Sequence, residues 1–181
     1  VTPVITIGAG SVVGLLVGPP ISQMMTGLGS IINWATEQRP FIMGIVVSVV
    51  MGMVLTLPIS SAALGIILNL SGLAAGAATI GCCCNMVGFA VASYRENKFG
   101  GLVAQGLGTS MLQVPNIMRH PLIWLPVIFS SAILGPVSTI IANMQNNATG
   151  SGMGSAGLVG QITTYQIMIA YDDPKLVIIK I

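Results

Sequence analysis

Charge is nearly absent from this sequence of 181 residues. Asp, Glu, Lys and Arg together make up 6% of it, whereas they make up about a quarter of an ordinary soluble domain. None of them, and no His, occurs within residues 1–36, 41–94 or 121–171. Because an ionised side chain is costly in hydrocarbon, stretches of this length indicate a chain that lies in a lipid bilayer.

Basic and aromatic residues are too few for a nucleic-acid surface. The net charge is +2, and aromatic residues make up 5% of the chain. Nucleic-acid-binding proteins combine clustered Lys and Arg with stacking aromatic side chains. The composition therefore excludes nucleic acid as a partner.

Patterns for covalent chemistry are also missing. The sequence has no paired carboxylates, no spaced metal ligands and no Ser–His–Asp arrangement. Its cysteines are adjacent, at positions 82–84, which is not the spacing of a metal site, and we interpret them as packing residues. We predict no catalytic residue, no metal and no cofactor.

Glycine, in contrast, is abundant, with 23 residues. Membrane proteins use Gly where helices approach closely or break. The length allows about five or six crossings, because each crossing needs about 20 apolar residues. We expect an all-α membrane protein, a multi-span helical bundle with broken or re-entrant helical hairpins, formed as a single membrane domain over residues 1–181.

Hydropathy and proline positions locate the expected helices. A short apolar helix over residues 3–17 should end before Gly18-Pro19-Pro20, because consecutive prolines remove backbone donors. Clean spans are predicted over 41–57 and 122–144. Residues 59–94 should form one broken crossing, interrupted near 69–72, because an unbroken helix would exceed the bilayer thickness.

The few cations suggest an orientation. If the predicted crossings are correct, every Lys and Arg lies on the same side of the membrane, as the positive-inside rule expects for the cytoplasmic side. These residues are Arg39, Arg95, Lys98, Arg119, Lys175 and Lys180. We interpret Glu37, Arg39, Arg119 and His120 as anchors at the level of the lipid headgroups.

The first polar segment covers residues 99–120 and is rich in Gly. Irregular backbone at membrane depth must be buried in protein or line an aqueous cavity, so this segment is predicted to enter the membrane and return. The polar side chains that it offers to a solute are Thr109, Ser110, Gln113 and Asn116. The alternative is that they only form hydrogen bonds between packed helices.

The second polar segment covers residues 145–160. Its G-x-G-x-x-G run at 152–157 lacks the strand and soluble helix of a dinucleotide site, so we interpret it as a discontinuous membrane hairpin. Its candidate ligands for a solute are Asn146, Asn147, Ser151, Gly152, Gly154 and, just beyond, Gln161. The alternative is a solvated loop, since loops favour these residue types.

Two broken polar segments on either side of one span are typical of a transporter's substrate site. Carboxamides and hydroxyls both donate and accept hydrogen bonds, which suits a neutral solute rich in hydroxyl groups. We therefore predict that the two segments meet and bind such a solute.

The sequence from about residue 14 to 168 resembles the phosphotransferase-system IIC-like membrane family of the stand-alone type. Its most specific matches are GTSMLQVPN at 108–116 and GSGMGSAGLVGQ at 150–161. The resemblance implies a permease for sugar-like solutes in the bacterial inner (plasma) membrane. It also implies an acidic residue and a histidine in the substrate loops, and neither polar segment contains an acid.

Several expectations follow for the whole protein. The chain is expected to be the later part of a longer permease, to form a homodimer, and to work with soluble phosphocarrier proteins. Its partners would be the lipid bilayer and a sugar-like or other small polar solute. Two alternatives remain open at this stage: a membrane sensor that binds a ligand without transporting it, and a passive channel.

Overall fold

The computed structural model describes residues 2–171 and 173–181, except for the side chains at 2–6, 8, 9, 12–17 and 21. Within that part the regular structure is helical, with one isolated antiparallel bridge between Gly72 and Asn146. This confirms the all-α class. The helices are α1 (Thr2–Gln38), α2 (Pro40–Thr56), α3 (Ser61–Ile67), α4 (Gly72–Ala92) and α5 (Tyr94–Val103), followed by α6 (Val114–Arg119), α7 (Leu125–Pro136), α8 (Ala148–Ser151), α9 (Val159–Met168) and α10 (Pro174–Lys180).

Helix α1 is longer than the sequence predicts. It continues through Pro19 and Pro20 to Gln38 instead of ending before Gly18. A proline removes one backbone donor, but membrane helices tolerate the loss when neighbouring groups or small local adjustments compensate. The predicted stop at residues 18–20 is therefore wrong.

Two helical stretches in the described chain are long and apolar enough to cross a membrane. One is α4, and the other is the continuous 21-residue stretch Pro121–Ile141, which contains α7. Helix α2 is apolar but shorter, with 17 residues. The spans predicted over 41–57 and 122–144 thus correspond to α2 and to the stretch around α7.

Helix α4 is the centre of the molecule because small residues let its neighbours approach closely. A Cβ atom on Gly81 would overlap the backbone of Ser48 in α2, and one on Gly52 of α2 would overlap Gly81 and Asn85 of α4. The side chain of Met86, one turn beyond Cys82, is completely buried. Close backbone packing of this kind is what holds helices together in lipid.

The contacts along α4 show the direction of its neighbours. Ser48 lies against Gly81, and Thr56, two turns further along α2, lies 3.3 Å from Asn85 through its Oγ1 and the Asn Oδ1. The residue numbers of these contacting pairs increase together along both helices, so α2 runs parallel to α4. Helix α7 runs antiparallel to α4, because Asn85 contacts Ser131 whereas Gly88 contacts Val127.

The parallel arrangement requires the chain between α2 and α4 to turn back, and α3 does this. Ser61 at the start of α3 donates from Oγ to the Gly152 carbonyl at 2.6 Å. Four residues later, Gly65 faces the backbone of Ala148. Asn69 and Gly72 then adopt positive φ angles of 50° and 57°, which confirms the break predicted near 69–72.

This return corrects the predicted orientation. The start of α2, with Arg39, lies at the same end as the start of α4, whereas Arg95 and Lys98 follow the other end of α4. The expectation that all cations share one side is therefore wrong. It failed because residues 40–71 form a hairpin in place of one complete crossing.

Two further hairpins complete the described fold. Residues 94–119 leave from the last turn of α4 and return to it, since Ser93, Glu96 and His120 line one cavity. Residues 144–168 enter from the opposite end, because Met144 and Met168 pack together in one buried cluster. These hairpins confirm the broken and re-entrant architecture.

The helix directions predict that residues 38 and 94 face opposite sides of the membrane. We expect Gln38→Cys and Tyr94→Cys, each in a variant whose native cysteines at 82–84 are Ala, to react with a membrane-impermeant maleimide from opposite sides of sealed vesicles. Both side chains are exposed. Met118→Cys is the matched control and should label from the same side as position 94. Labelling of positions 38 and 94 from one side would contradict the fold.

Candidate functional site

The 94–119 hairpin owes its shape to local breaks in helical geometry. Lys98 interrupts α5 with φ 49° and ψ −147°, and residues Ala104–Gly108 form a widened turn. Thr109 is extended, and its Oγ1 accepts a hydrogen bond of 3.2 Å from the Met111 amide. This cap starts a tight turn over Ser110–Gln113 that leads into α6. The hairpin therefore presents Gln113 and α6 towards the last turn of α4.

A chain of carboxamides runs across the inside of this hairpin. Gln113 donates from Nε2 to Gln105 Oε1 at 3.0 Å, and Asn116 donates from Nδ2 to Gln113 Oε1 at 2.9 Å. Gln113 is 6% exposed and Gln105 3%. The chain leaves Asn116 Oδ1 as an acceptor at one end and Gln105 Nε2 as a donor at the other, without a partner among the described residues.

A cavity of about 330 Å³ opens beside these amides. Its wall combines Gln113 and Asn116 with Glu96 and His120, and Phe89 and Ile123 add apolar surface. No described residue forms an ion pair or hydrogen bond with the side chains of Glu96 and His120. The cavity thus joins a carboxylate, an imidazole and two carboxamides on one wall.

Glu96 and His120 also line the cavity, although the sequence predicts neither as a solute ligand. The sequence favours a charged connection for Glu96 and a position near the lipid headgroups for His120. A signal for them exists in the spacing: residues 89, 92, 93 and 96 and residues 113, 116 and 120 each form a stripe on one helical face.

A second cavity, of about 580 Å³, is also lined by Gln113 and Asn116, together with Gln105. Asn97, Gly100 and Gly101, where α5 is broken, complete its lining on the α5 side. The hydrogen-bonded amides of Gln113 and Asn116 are therefore shared by two cavities.

Thr109 and Ser110, also predicted as ligands, hold the hairpin in place. Thr109 caps the turn as described, and Ser110 is completely buried. The Ser110 Oγ lies 3.1 Å from Thr56 Oγ1 of α2. These two side chains therefore support the segment that carries Gln113.

In the second predicted segment, Asn146 is completely satisfied inside the protein. Its Nδ2 donates to Thr79 Oγ1 at 2.8 Å and to the Gly160 carbonyl at 3.2 Å. Its Oδ1 accepts from the Asn147 amide at 2.8 Å. Asn146 is 2% exposed, and these bonds tie the 144–168 hairpin to α4.

The neighbouring predicted residues also have partners within the fold. Asn147 caps α8, since its Oδ1 accepts from the Gly150 amide at 2.8 Å, and Ser151 Oγ donates to the Ala148 carbonyl at 2.7 Å. Gly152 packs on the backbone of Ser61, and Gly154, with φ 53°, packs on the backbone of Cys82 and Cys83. At Gly154 both the positive φ and the close approach require glycine.

Gln161, the last predicted residue, lies in α9 beside α4. Its Nε2 donates to Cys83 Sγ at 3.4 Å. Its Oε1 is buried without a hydrogen-bond partner among the described residues. Gln161 therefore retains an acceptor in the protein interior.

The two predicted segments do meet, at their tips. Ser155 donates from Oγ to the Gly106 carbonyl at 2.6 Å, and Gly106 faces Ala90 of α4. The amides of the two segments are not brought together by any hydrogen bond that the described residues form. Contact between the segments is therefore made by backbone and Ser155, while the amides of the first segment face the cavities.

The arrangement contains no evident metal centre. Among residues 2–171 and 173–181, no three His, Cys, Asp or Glu side chains are grouped so that they could hold a metal ion. The chemistry available at the cavity is hydrogen bonding by one carboxylate, one imidazole and two carboxamides.

Comparison with known proteins identifies one similarity. A family model described as "Phosphotransferase system, EIIC" matches residues 1–180. No curated protein and no solved structure matches the chain. The match extends over α4, the stretch around α7 and all three hairpins, and so covers both polar segments.

The contact between the hairpin tips should stabilise the first hairpin. Ser155→Ala removes the buried hydrogen bond to the Gly106 carbonyl. Because that carbonyl then lacks this partner, we expect the free energy of unfolding to fall by about 1–3 kcal/mol. Thermal unfolding in detergent measures this change. Ser30→Ala is the matched control, since the Ser30 hydroxyl bonds only to the carbonyl of Gly27 in its own exposed helix. Equal stability of the two variants would contradict a structural contact at Ser155.

Proposed function

The chain belongs to the phosphotransferase-system EIIC family of membrane transport components, and from this premise we propose that it binds and translocates a neutral, sugar-like solute at the carboxamide cavity. One observation carries the proposal: Gln113 and Asn116, linked by hydrogen bonds, share a cavity wall with Glu96 and His120. The solute would enter this cavity and pass the carboxamide chain.

The chemistry of the wall matches a solute that has several hydroxyl groups. A sugar hydroxyl both donates and accepts, so it needs partners of both kinds. Asn116 Oδ1 and the Glu96 carboxylate accept, and the His120 imidazole can do either. Phe89 and Ile123 offer apolar surface to the C–H faces of a sugar ring.

The size of the cavity supports the same solute class. Small-molecule sites have volumes of about 300–1,000 Å³, and this cavity measures about 330 Å³. The second cavity, of about 580 Å³, shares Gln113 and Asn116. A solute bound to these amides in one cavity would therefore adjoin the other, which favours translocation over binding alone.

The second hairpin enters the proposal as a support. Asn146, Gly152 and Gly154 hold its backbone against α3 and α4, and Asn147 and Ser151 form its own turn. Gln161 keeps a buried Oε1 without a partner among the described residues.

The proposal extends to the assembly. The chain would act as a homodimer in the bacterial plasma membrane, as a membrane domain of a larger permease. A soluble phosphocarrier protein would supply any phosphoryl group. The role of the cavity would be to bind and orient the solute hydroxyl that receives the phosphoryl group.

Loss of Gln113 should weaken solute binding. Gln113→Leu removes both hydrogen bonds of the carboxamide chain, and each unpaired buried group costs about 1–3 kcal/mol. We expect the Kd for a bound sugar to rise by about 10- to 100-fold. Equilibrium binding to protein in detergent, with labelled hexoses, N-acetylhexosamines and hexitols as probes, measures the effect.

The control for this variant is Gln23→Leu, the same change at an exposed position of α1. It should leave the Kd unchanged. If Gln113→Leu binds every probe as the parent does, the carboxamide cavity is not the site. If Asn147→Leu weakens binding while keeping the parent's thermal stability, the second hairpin contacts the solute as well.

Uptake separates transport from the other functions. Proteoliposomes with the parent chain should accumulate the probe that binds, and uptake should fall in parallel with affinity in Gln113→Leu. Binding without uptake would identify a sensor. Uptake of every small solute at the same rate, without saturation, would identify a channel.

A further inference from the structure

Asn85 is a completely buried polar residue in the middle of the membrane-length helix α4. It lies one helical turn before Phe89, which forms the floor of the carboxamide cavity. Its Nδ2 donates to the Gly81 carbonyl at 3.0 Å and to Ser131 Oγ at 3.2 Å. The contact with Ser131 connects α4 to α7.

The acceptor atom of Asn85 makes a different connection. Oδ1 accepts from Trp124 Nε1 at 3.3 Å and from Thr56 Oγ1 at 3.3 Å. Thr56 in turn lies 3.1 Å from Ser110, between the two hydroxyl oxygens. One oxygen atom is thereby connected to Trp124 directly and to Ser110 through one hydroxyl.

Ser110 and Trp124 are the two ends of the segment that builds the cavity wall. Residues 110–124 contain Gln113, Asn116 and His120. At one end, Ser110 starts the turn that ends at Gln113. At the other end, Trp124 follows Ile123, which also lines the cavity. Asn85 Oδ1 therefore holds both ends of the wall against α4.

The surroundings make this connection strong. Thr56, Ser110 and Ser131 are each completely buried, as Asn85 is. In a dry interior, hydrogen bonds are electrostatically stronger and chains of them support one another. The Asn85 side chain has partners within the protein for Nδ2 and for Oδ1, while the Thr56 hydroxyl also lies 3.3 Å from the Gly52 carbonyl.

We propose that Asn85 is a positioning residue that sets the place of segment 110–124, and through it the geometry of Gln113, Asn116 and His120. The binding of a solute by these residues rests on the proposed function. The positional effect itself does not, because it concerns the segment alone. Asn85 acts through Trp124 and through the Thr56–Ser110 pair.

Hydrogen exchange of backbone amides tests the positional effect without any ligand. The His120 amide donates to the Asn116 carbonyl at 2.8 Å, and the Ile123 amide donates to the His120 carbonyl at 3.1 Å. Exchange of these two amides therefore reports on the end of the segment that contains Trp124. In Asn85→Leu we expect exchange to become at least about 10-fold faster at both ends of 110–124. In Trp124→Phe, which removes one branch, we expect the change at residues 120–124 only.

Ser131→Ala is the matched control, because it removes a partner from the donor side of Asn85 and leaves Oδ1 untouched. Exchange in 110–124 should stay at the parent rate. Equal exchange in Asn85→Leu and the parent would overturn the proposal, and so would acceleration of the same size across the whole protein. If Asn85→Leu does not fold, Trp124→Phe combined with Thr56→Val tests the same two branches.

Binding of the labelled sugar probes then gives a second measurement. We expect Trp124→Phe to raise the Kd by about tenfold while Ser131→Ala leaves it unchanged, although each variant removes one hydrogen bond to Asn85. Equal Kd values in Trp124→Phe and the parent would overturn the link from Asn85 to the cavity. If the parent binds no probe but the exchange pattern is as expected, the proposed function fails and the positioning by Asn85 stands.

Discussion

The close approach of α2 and α7 to α4 is the contact on which the rest of the structure depends. Gly81 allows the Ser48 backbone to touch α4, and Gly44 and Gly135 allow α2 and α7 to touch each other. In lipid there is little hydrophobic gain from joining apolar helices, so backbone proximity and buried hydrogen bonds must supply the attraction. The close packing of these helices also surrounds the non-helical segments with protein, which irregular backbone needs at membrane depth.

The hairpins follow from a second property of hydrocarbon, which leaves no partner for an unpaired amide or carbonyl. Two of the breaks are placed against another part of the chain. The Ser61 hydroxyl satisfies the Gly152 carbonyl, and the Gly106 carbonyl accepts from Ser155. Hairpins from both ends of α4 thus reach into the protein, and the polar segment 94–119 carries the cavity at its open side.

The use of hydrogen-bonding groups distinguishes two kinds of amide in this protein. Asn85 and Asn146 have their side-chain groups used inside the fold and hold helices in register. Asn116 and Gln105 keep free groups at the ends of the carboxamide chain, where the cavities open. The Glu96 carboxylate and the His120 imidazole lie beside Asn116 in the first of these cavities.

The lack of charge, the abundance of glycine and the positions of apolar stretches were enough to predict a helical membrane protein with broken hairpins. They also made Gln113 and Asn116 candidate ligands, because polar residues in a Gly-rich membrane segment stand out. The sequence did not determine that α2 runs parallel to α4 or that Arg39 and Arg95 lie at opposite ends. It also did not reveal that Glu96 and His120 share a wall, or that Gln105 bonds to Gln113. These facts depend on how far the chain between two helices turns back, and that is decided by contacts between distant residues such as Ser61 and Gly152. Local composition shows where a helix can break, but only packing against the rest of the protein decides where the chain goes afterwards.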